Sequence, residues 1–365
     1  MNPRFIMIGG FLGAGKTTTI SRLAKLYQAQ GLRVAIVTND QATDLVDTNL
    51  LRSQGFDVGE VAGSCFCCNF NELTNTVERL SLDQRPDVVI AEPVGSCTDL
   101  VATVIRPLQQ IYNQPFDIAP YGVIVKPSHG LKILKRVSKG GFSPQAEYIF
   151  RKQLEEADFI ILNRIDELSA EMVADLQALI SLNFPGIPCV HVSATSGAGF
   201  NALTEQLDQK GEYGMRSMDV DYDVYAQGEA ELGWLNAQVE LNSLEAIDLD
   251  LFVLTLVQRI QSQLASESSE VAHLKAIGMA DGKFAVANAI SSDTAATLSM
   301  PSGHNCLHAE LVINARVAVA PESLTQTIEQ ILLSTSQEFK MDSTVRTLQS
   351  FRPGRPVPTH RLMSN

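Results

Sequence analysis

Gly10-Phe11-Leu12-Gly13-Ala14-Gly15-Lys16-Thr17 reads G-x-x-x-x-G-K-T, a spacing whose chemistry is phosphate binding. Glycines let successive backbone N–H groups turn inward around an anion, and a helix beginning at the end of the loop adds its positive dipole. Lys16 is placed to reach the β- and γ-phosphates of a nucleoside triphosphate, and the Thr17 hydroxyl to bind Mg²⁺. A second reactive group is Cys65, Cys67 and Cys68. Thiolates are soft ligands suited to Zn²⁺, Co²⁺, Ni²⁺ or Cu⁺. Three so close converge on one ion only if the backbone turns, which Gly63 and Asn69 favour. A redox-active dithiol, or three cysteines packed as small hydrophobes, are the alternatives. Three ligands leave a position open, as expected of a site that delivers its ion or is completed by a partner.

Carboxylates and amides follow at the ends of apolar runs. Asp40 lies just past the β-branched run 34–38, placed to hold the Mg²⁺ shell, to orient an attacking water, or simply to cap the next segment. Glu92 ends the run 87–91, where a Walker-B acid would reach Mg²⁺. Glu92-Pro93-Val94-Gly95 is E-x-x-G, and the Gly95 N–H is placed to meet a γ-phosphate. Cys97, two residues on, is a candidate fourth thiol in one nucleotide state. Asn163-Arg164-Ile165-Asp166 resembles the N-K-x-D element that reads guanine. Asp166 can accept both N1–H and the exocyclic amine, a donor pair that adenine lacks. Asn163 would tie the base to neighbouring loops, and the flat guanidinium of Arg164 can stack over the ring. At Ser193-Ala194 a backbone N–H is placed to meet the guanine O6. His304, Cys306 and His308 form H-x-C-x-H, one face of an extended chain and so a candidate second soft-metal site, or else loop residues.

Repeated strand, loop and helix must hold these residues. Strand-length runs at 4–8, 34–38, 57–61, 87–91, 121–126, 159–162 and 188–192 alternate with helical spacing at 17–30, 145–157, 170–182 and 200–207. Each chemical residue falls at the carboxyl end of a strand, which specifies an α/β P-loop fold with a mostly parallel sheet flanked by helices. Residues 41–55 are polar and weakly patterned, as suits a switch segment. Domain boundaries are expected at 1–212 for this domain and 213–233 for an acidic linker. A smaller α+β, ferredoxin-like domain is expected at 234–345, and a basic, proline-rich tail at 346–365, disordered or laid back over the acidic body.

The 365 residues exceed the usual single-domain size, and 45% hydrophobic content suffices for ordinary cores. A net charge of −13 argues against broad nucleic-acid binding. No apolar run approaches membrane-span length and no signal peptide is evident, so a cytosolic protein is expected, without membrane or nucleic-acid partners.

With the P-loop, Asp40, C-x-C-C, E-x-x-G and N-R-x-D in this order, residues 4–210 resemble a CobW-like GTPase, kin of the GTPases that insert nickel into urease and hydrogenase. The resemblance implies that Cys65, Cys67 and Cys68 bind a transition metal, and that GTP binding and hydrolysis gate its transfer to a client. It implies a phosphate site of Gly13, Gly15, Lys16, Thr17 and Thr18, Mg²⁺ or switch roles for Glu92 and Asp40, and a base site at Asn163 and Asp166. The chain departs from the family pattern at Pro93, at Ser96-Cys97 and at Val125-Lys126. The expectation is a slow Mg²⁺-dependent GTPase that cycles GTP and GDP and carries Zn²⁺, Co²⁺ or Ni²⁺ to a client metalloenzyme or cofactor protein, as a monomer or homodimer. A GTP switch that docks a cofactor enzyme, with structural thiols, and a small-molecule kinase are the rivals.

Overall fold

A computed structural model describes residues 2–39, 48, 51–52, 54–81, 85–112, 115–135, 143–292 and 294–363. Asp40 and most of the expected switch segment lie outside the described residues. The chain divides into two compact units. One comprises Met1–Thr43, Gln54–Gly228 and Arg355–Asn365, and the other Asp44–Ser53 and Glu229–Gly354.

The first unit is built on a parallel sheet. Its strands are β1 (Arg4–Gly10), β2 (Val34–Asn39), β3 (Asp57–Val61), β4 (Val88–Glu92), β5 (Asp117–Ile118), β6 (Gly122–Val125), β7 (Phe159–Leu162) and β8 (Cys189–His191). Their order is β3-β2-β4-β1-β6-β7-β8, with β5 beside β1. Every residue of β1, β2, β4, β6 and β7 is buried, which is why these runs read as continuously apolar rather than alternating. Each buried Ile, Val or Phe contributes about 1.5–3 kcal/mol. From β1 the chain crosses first towards β2 and β3 and later towards β6 and β7. The crevice of this switch point therefore opens at Gly10, the start of the phosphate loop.

The helix Lys16–Ala29 buries Ile20, Leu23, Ala24 and Tyr27, one face at i, i+3, i+4 and i+7. It ends where Gly31 takes a left-handed φ of 82° and donates to the Gln28 carbonyl, the stop expected there. The acidic stretch expected as a linker instead carries the helix Tyr222–Ala230, most of which belongs to the first unit. The Asp221 carboxylate accepts the N–H groups of Asp223 and Val224 at its start, and Tyr225 is buried. Capping and one buried aromatic thus order a segment whose composition looks solvated.

The second unit has strands β9 (Gly233–Asp248), β10 (Val271–Ala280), β11 (Lys283–Ala289), β12 (Thr297–Met300), β13 (Asn305–Val317) and β14 (Met341–Phe351), with helices Leu249–Ser266 and Pro321–Glu338. The antiparallel order is β12-β11-β10-β13-β9-β14. Without the edge pair β11 and β12 this is the ferredoxin-like βαββαβ arrangement. Both helices cover one face, where Phe252, Leu256 and Ile328 meet Leu235, Val239 and Ile313. The last strand runs through Phe351, so residues 346–351 belong to the sheet rather than to the tail. It pairs only along β9 and is mostly exposed, which removes the apolar alternation that would have marked it.

Candidate functional site

The phosphate loop joins β1 to the helix Lys16–Ala29. Gly13 and Gly15 take φ values of 70° and 97°. A Cβ on Gly15 would stand 2.5 Å from the Asn163 side-chain nitrogen, so this position needs glycine for space as well as for conformation. Lys16 Nζ folds back and donates to the Gly10 carbonyl at 2.9 Å. The Thr17 hydroxyl donates to Glu92 Oε1 at 2.9 Å, while Thr18 is exposed at the loop's outer edge. Register sets the first pair: β4 lies beside β1 with Met7 opposite Ala91, which brings Glu92 to the mouth of the loop. Hydroxyl and carboxylate oxygens are the hard donors Mg²⁺ takes, so the residues present fit that ion. A Cβ on Gly95 would meet Lys16 Nζ at 3.0 Å and the Leu12 N at 3.1 Å. The E-x-x-G glycine therefore packs directly on the phosphate-loop lysine.

At the other end of the crevice, Asn163 ties three loops together. Its amide nitrogen donates to the Ala14 carbonyl at 2.9 Å, and its oxygen accepts the N–H groups of Arg164 and Ala194 at 2.8 and 3.0 Å. Arg164 sits in the left-handed region and bonds Glu167, which turns the chain and leaves Asp166 exposed. The Ser193 N–H donates to the Ala198 carbonyl, so both N–H groups expected at the guanine O6 bond the chain itself here. Sequence reasoning missed Arg22, which donates to the carbonyls of Ala194 and Thr195 at 2.8 and 2.7 Å and fixes this loop to the first helix. Nothing in its spacing distinguishes it from a solvated helix arginine.

The thiols sit in the turn between β3 and the helix Phe70–Leu80. Cys65 Sγ lies 2.8 Å from Cys67 Sγ and 3.3 Å from Cys68 Sγ, and the Cys67 and Cys68 sulfurs are 3.7 Å apart. The turn closes as Cys68 and Asn69 donate to the Cys65 carbonyl, and Gly63 takes a φ of 85°. Hydrogen bonds from Cys67 and Cys68 hold the Cys65 thiol well below its usual range. The same bonds and burial push Cys67 up, and Cys68 up to about 11. The three sulfurs are thus tied together by hydrogen bonds. The Cys97 thiol adds to both effects, lowering Cys65 and raising Cys67. All of this suits a soft divalent ion.

A second residue that sequence reasoning did not single out organises the turn. Asn39, the last residue of β2, donates to the carbonyls of Val61 and Ser64 at 2.8 Å each and accepts the Phe66 N–H at 2.8 Å. An Asn at a strand end beside a catalytic candidate was the available signal.

In the second unit the H-x-C-x-H residues do not converge. His304 Nε2 lies 3.0 Å from Asp281 Oδ2, His308 Nδ1 lies 2.7 Å from Asn242 Oδ1, and Cys306 is in the core. A register irregularity between Cys306 and His308 breaks the alternation that would have aligned them. Among the described residues, Cys65, Cys67 and Cys68 are the group whose ligand atoms converge.

Sheet, phosphate loop, Thr17–Glu92 pair and Asn163 network define a P-loop nucleoside-triphosphate-binding domain that also carries the thiol turn. Residues 4–185 match the model of the nucleotide-binding domain of the CobW/HypB/UreG family. The chain belongs to this family of P-loop GTPases as a divergent, CobW-like member. The zinc chaperone CobW of Pseudomonas aeruginosa is 28% identical over 217 residues, 49% of this chain and 53% of that protein. The zinc chaperone YjiA of Escherichia coli is 32% identical over 218 residues, 57% of this chain and 64% of that protein. The urease accessory protein UreG of Mycolicibacterium gilvum is 29% identical over 214 residues, 55% of this chain and 92% of that protein. The chain spans about half the length of the CobW relatives it matches. Among solved structures, HypB from Helicobacter pylori in complex with nickel covers 58% of this chain and 92% of its own, at 16% identity and a TM-score of 0.41.

Proposed function

We propose that this chain is a Mg²⁺-dependent GTPase that binds a transition metal through Cys65, Cys67 and Cys68 and delivers it to a client metalloenzyme or cofactor protein. The reach of one short segment supports this most directly. Glu92 bonds Thr17, Gly95 packs on Lys16, and the Cys97 thiol acts on those of Cys65 and Cys67. A displacement at the γ-phosphate therefore has a six-residue path, Glu92 to Cys97, to the thiols.

When GTP binds, Lys16 exchanges the Gly10 carbonyl for the β- and γ-phosphates. Thr17 and Glu92, with Asp40 as their proposed companion, hold Mg²⁺, whose charge offsets that of the phosphates. Asn163 holds the loops around the base, and Asp166 accepts guanine's two donors. The Gly95 N–H meets the γ-phosphate and draws Cys97 with it, while Asn39 transmits the position of the residue beside it to the thiol turn. Hydrolysis reverses both movements and releases the ion or the client. Zinc is the first ion to test, being named for the CobW and YjiA relatives. No described helix is long and apolar enough to cross a membrane, in keeping with a proposed cytosolic site of action.

Titration of the purified protein with Zn²⁺, Co²⁺ and Ni²⁺, with and without a non-hydrolysable GTP analogue, tests the proposal. Nucleotide-dependent affinity that vanishes in the Cys65/Cys67/Cys68 triple serine variant is expected. Tight GTP binding with no metal uptake would overturn the metal role.

A further inference from the structure

The end of the chain returns to the thiol turn. The Val357 N–H donates to Cys68 Sγ at 3.3 Å, and the Thr359 N–H to the Cys67 carbonyl at 2.8 Å. The Thr359 hydroxyl adds a bond to the Cys68 carbonyl at 3.0 Å. The His360 ring stands edge-on to Phe70, at 5.2 Å between centroids. Just beyond, Arg361 Nε donates to Asp99 Oδ2 at 2.7 Å, an oxygen that also accepts the Tyr222 hydroxyl at 2.7 Å, and the Leu362 N–H donates to the Ala102 carbonyl at 2.8 Å.

The sequence of this segment suits such a seat. Pro356 and Pro358 hold the chain extended and leave Val357 and Thr359, the residue after each, as the N–H donors of 356–359, and both donors are spent on the cysteine turn. Cys68 is the least buried of the three thiols, and it is the one the segment meets with both a backbone and a side-chain bond. The anchor is equally specific. Asp99 is 1% exposed, so Arg361 partners a carboxylate that has left water. Asp99 also follows Gly95 and Cys97 in the segment that contacts the phosphate loop, with a left-handed φ of 64°.

We propose that residues 355–362 form a strap that closes the metal site over Cys68, and that the Arg361–Asp99 latch lets the nucleotide-dependent segment release it so that an ion can enter or leave. This rests on the reading of the three thiols as metal ligands. Movement of Gly95 on the γ-phosphate would shift Asp99 and loosen the latch. The strap then lifts from the turn, exposing Cys68 to an incoming ion or to a client's ligand. An N–H aimed at the Cys68 sulfur stabilises the thiolate form while the strap is down.

The test uses the full-length protein loaded with Zn²⁺ and a chromophoric chelator in excess. Arg361→Ala removes the latch, and Thr359→Pro removes both Thr359 bonds while keeping the chain extended. Both variants should keep GTP binding and one zinc per chain, yet release zinc about ten-fold faster, the size of losing one or two hydrogen bonds. Arg361→Lys should restore part of the wild-type rate. Iodoacetamide labelling of Cys68 in metal-free protein should accelerate in parallel. Zinc uptake by wild type with release and labelling rates unchanged in both variants overturns the strap alone. No zinc uptake by wild type overturns the metal reading and the strap's role with it, and the labelling rates then show whether the segment covers Cys68 at all.

Discussion

The carboxamide of Asn39 accepts the Phe66 N–H at 2.8 Å, so the end of β2 holds the middle of the cysteine turn. The residue after Asn39 is Asp40, a candidate for the nucleotide's metal shell. A strand end thus lies between the two chemistries of this domain. Beside Glu92–Cys97, it is a second route for the proposed coupling of the phosphate loop and the thiols.

Asn39→Ala removes the partners of two carbonyls and one N–H at a largely buried site. Stability should fall by about 1–3 kcal/mol, because these groups lose their bonds without regaining water. Zinc affinity should fall with it. Thermal unfolding and a zinc competition titration check both, and wild-type values in each would remove Asn39 from the account.

Gly95→Ala places a methyl 3.0 Å from Lys16 Nζ and 2.8 Å from a Leu12 methyl. GTP hydrolysis should fall at least about ten-fold, with a smaller change in GDP affinity, since the clash falls on the γ-phosphate side of the loop. Single-turnover hydrolysis alongside fluorescent GDP binding separates the two effects. A variant that hydrolyses normally would show that Gly95 does not sense the phosphate.

Asp166 is exposed, and the proposed function gives it a base with two donors. Asp166→Ala should weaken GTP binding by about 1.5–3 kcal/mol, the worth of hydrogen bonds to a charged group. Asp166→Asn should shift preference towards xanthosine triphosphate, whose exocyclic oxygen accepts where guanine donates. Competition between the two nucleotides reads this directly, and an unchanged preference would put the base elsewhere.

The thiols imply a definite pH dependence. Cys65 is held low by hydrogen bonds from its neighbours while Cys67 and Cys68 are raised, Cys68 to about 11. Binding through all three sulfurs must expel the protons that the raised thiols hold, and zinc affinity should rise steeply from pH 6 to 8. Cys68 alone has the opposite effect on the metal-free fold. Its raised value favours the neutral thiol, so its contribution is complete below about 8.5 and is lost as pH rises towards 11. Zinc titrations in buffers of different ionisation enthalpy count the protons. A pH-independent affinity would mean that the thiols do not ligate together.

Much of this protein was legible in its residues. The phosphate loop, Glu92, Asn163 and the cysteine triplet announce themselves because each chemistry needs particular side chains at short, fixed spacing. The continuous apolar runs of β1, β2 and β4 marked a covered parallel sheet for the same local reason. Other features depend on which distant segments meet. Asn39 and Arg22 bond backbone carbonyls, acceptors that every residue offers, so neither type nor spacing could name their partners. His304, Cys306 and His308 looked like a metal set because alternation was assumed, whereas a register irregularity and separate partners keep them apart. The proline-rich tail reads from its composition as disordered or laid back over the acidic body, with no contact named. Its seat on the cysteine turn becomes visible only when Val357, Thr359 and Arg361 are found bonded to residues more than 250 positions away. Local spacing determined the chemistry available to this chain, and long-range backbone pairing decided which of it is brought together.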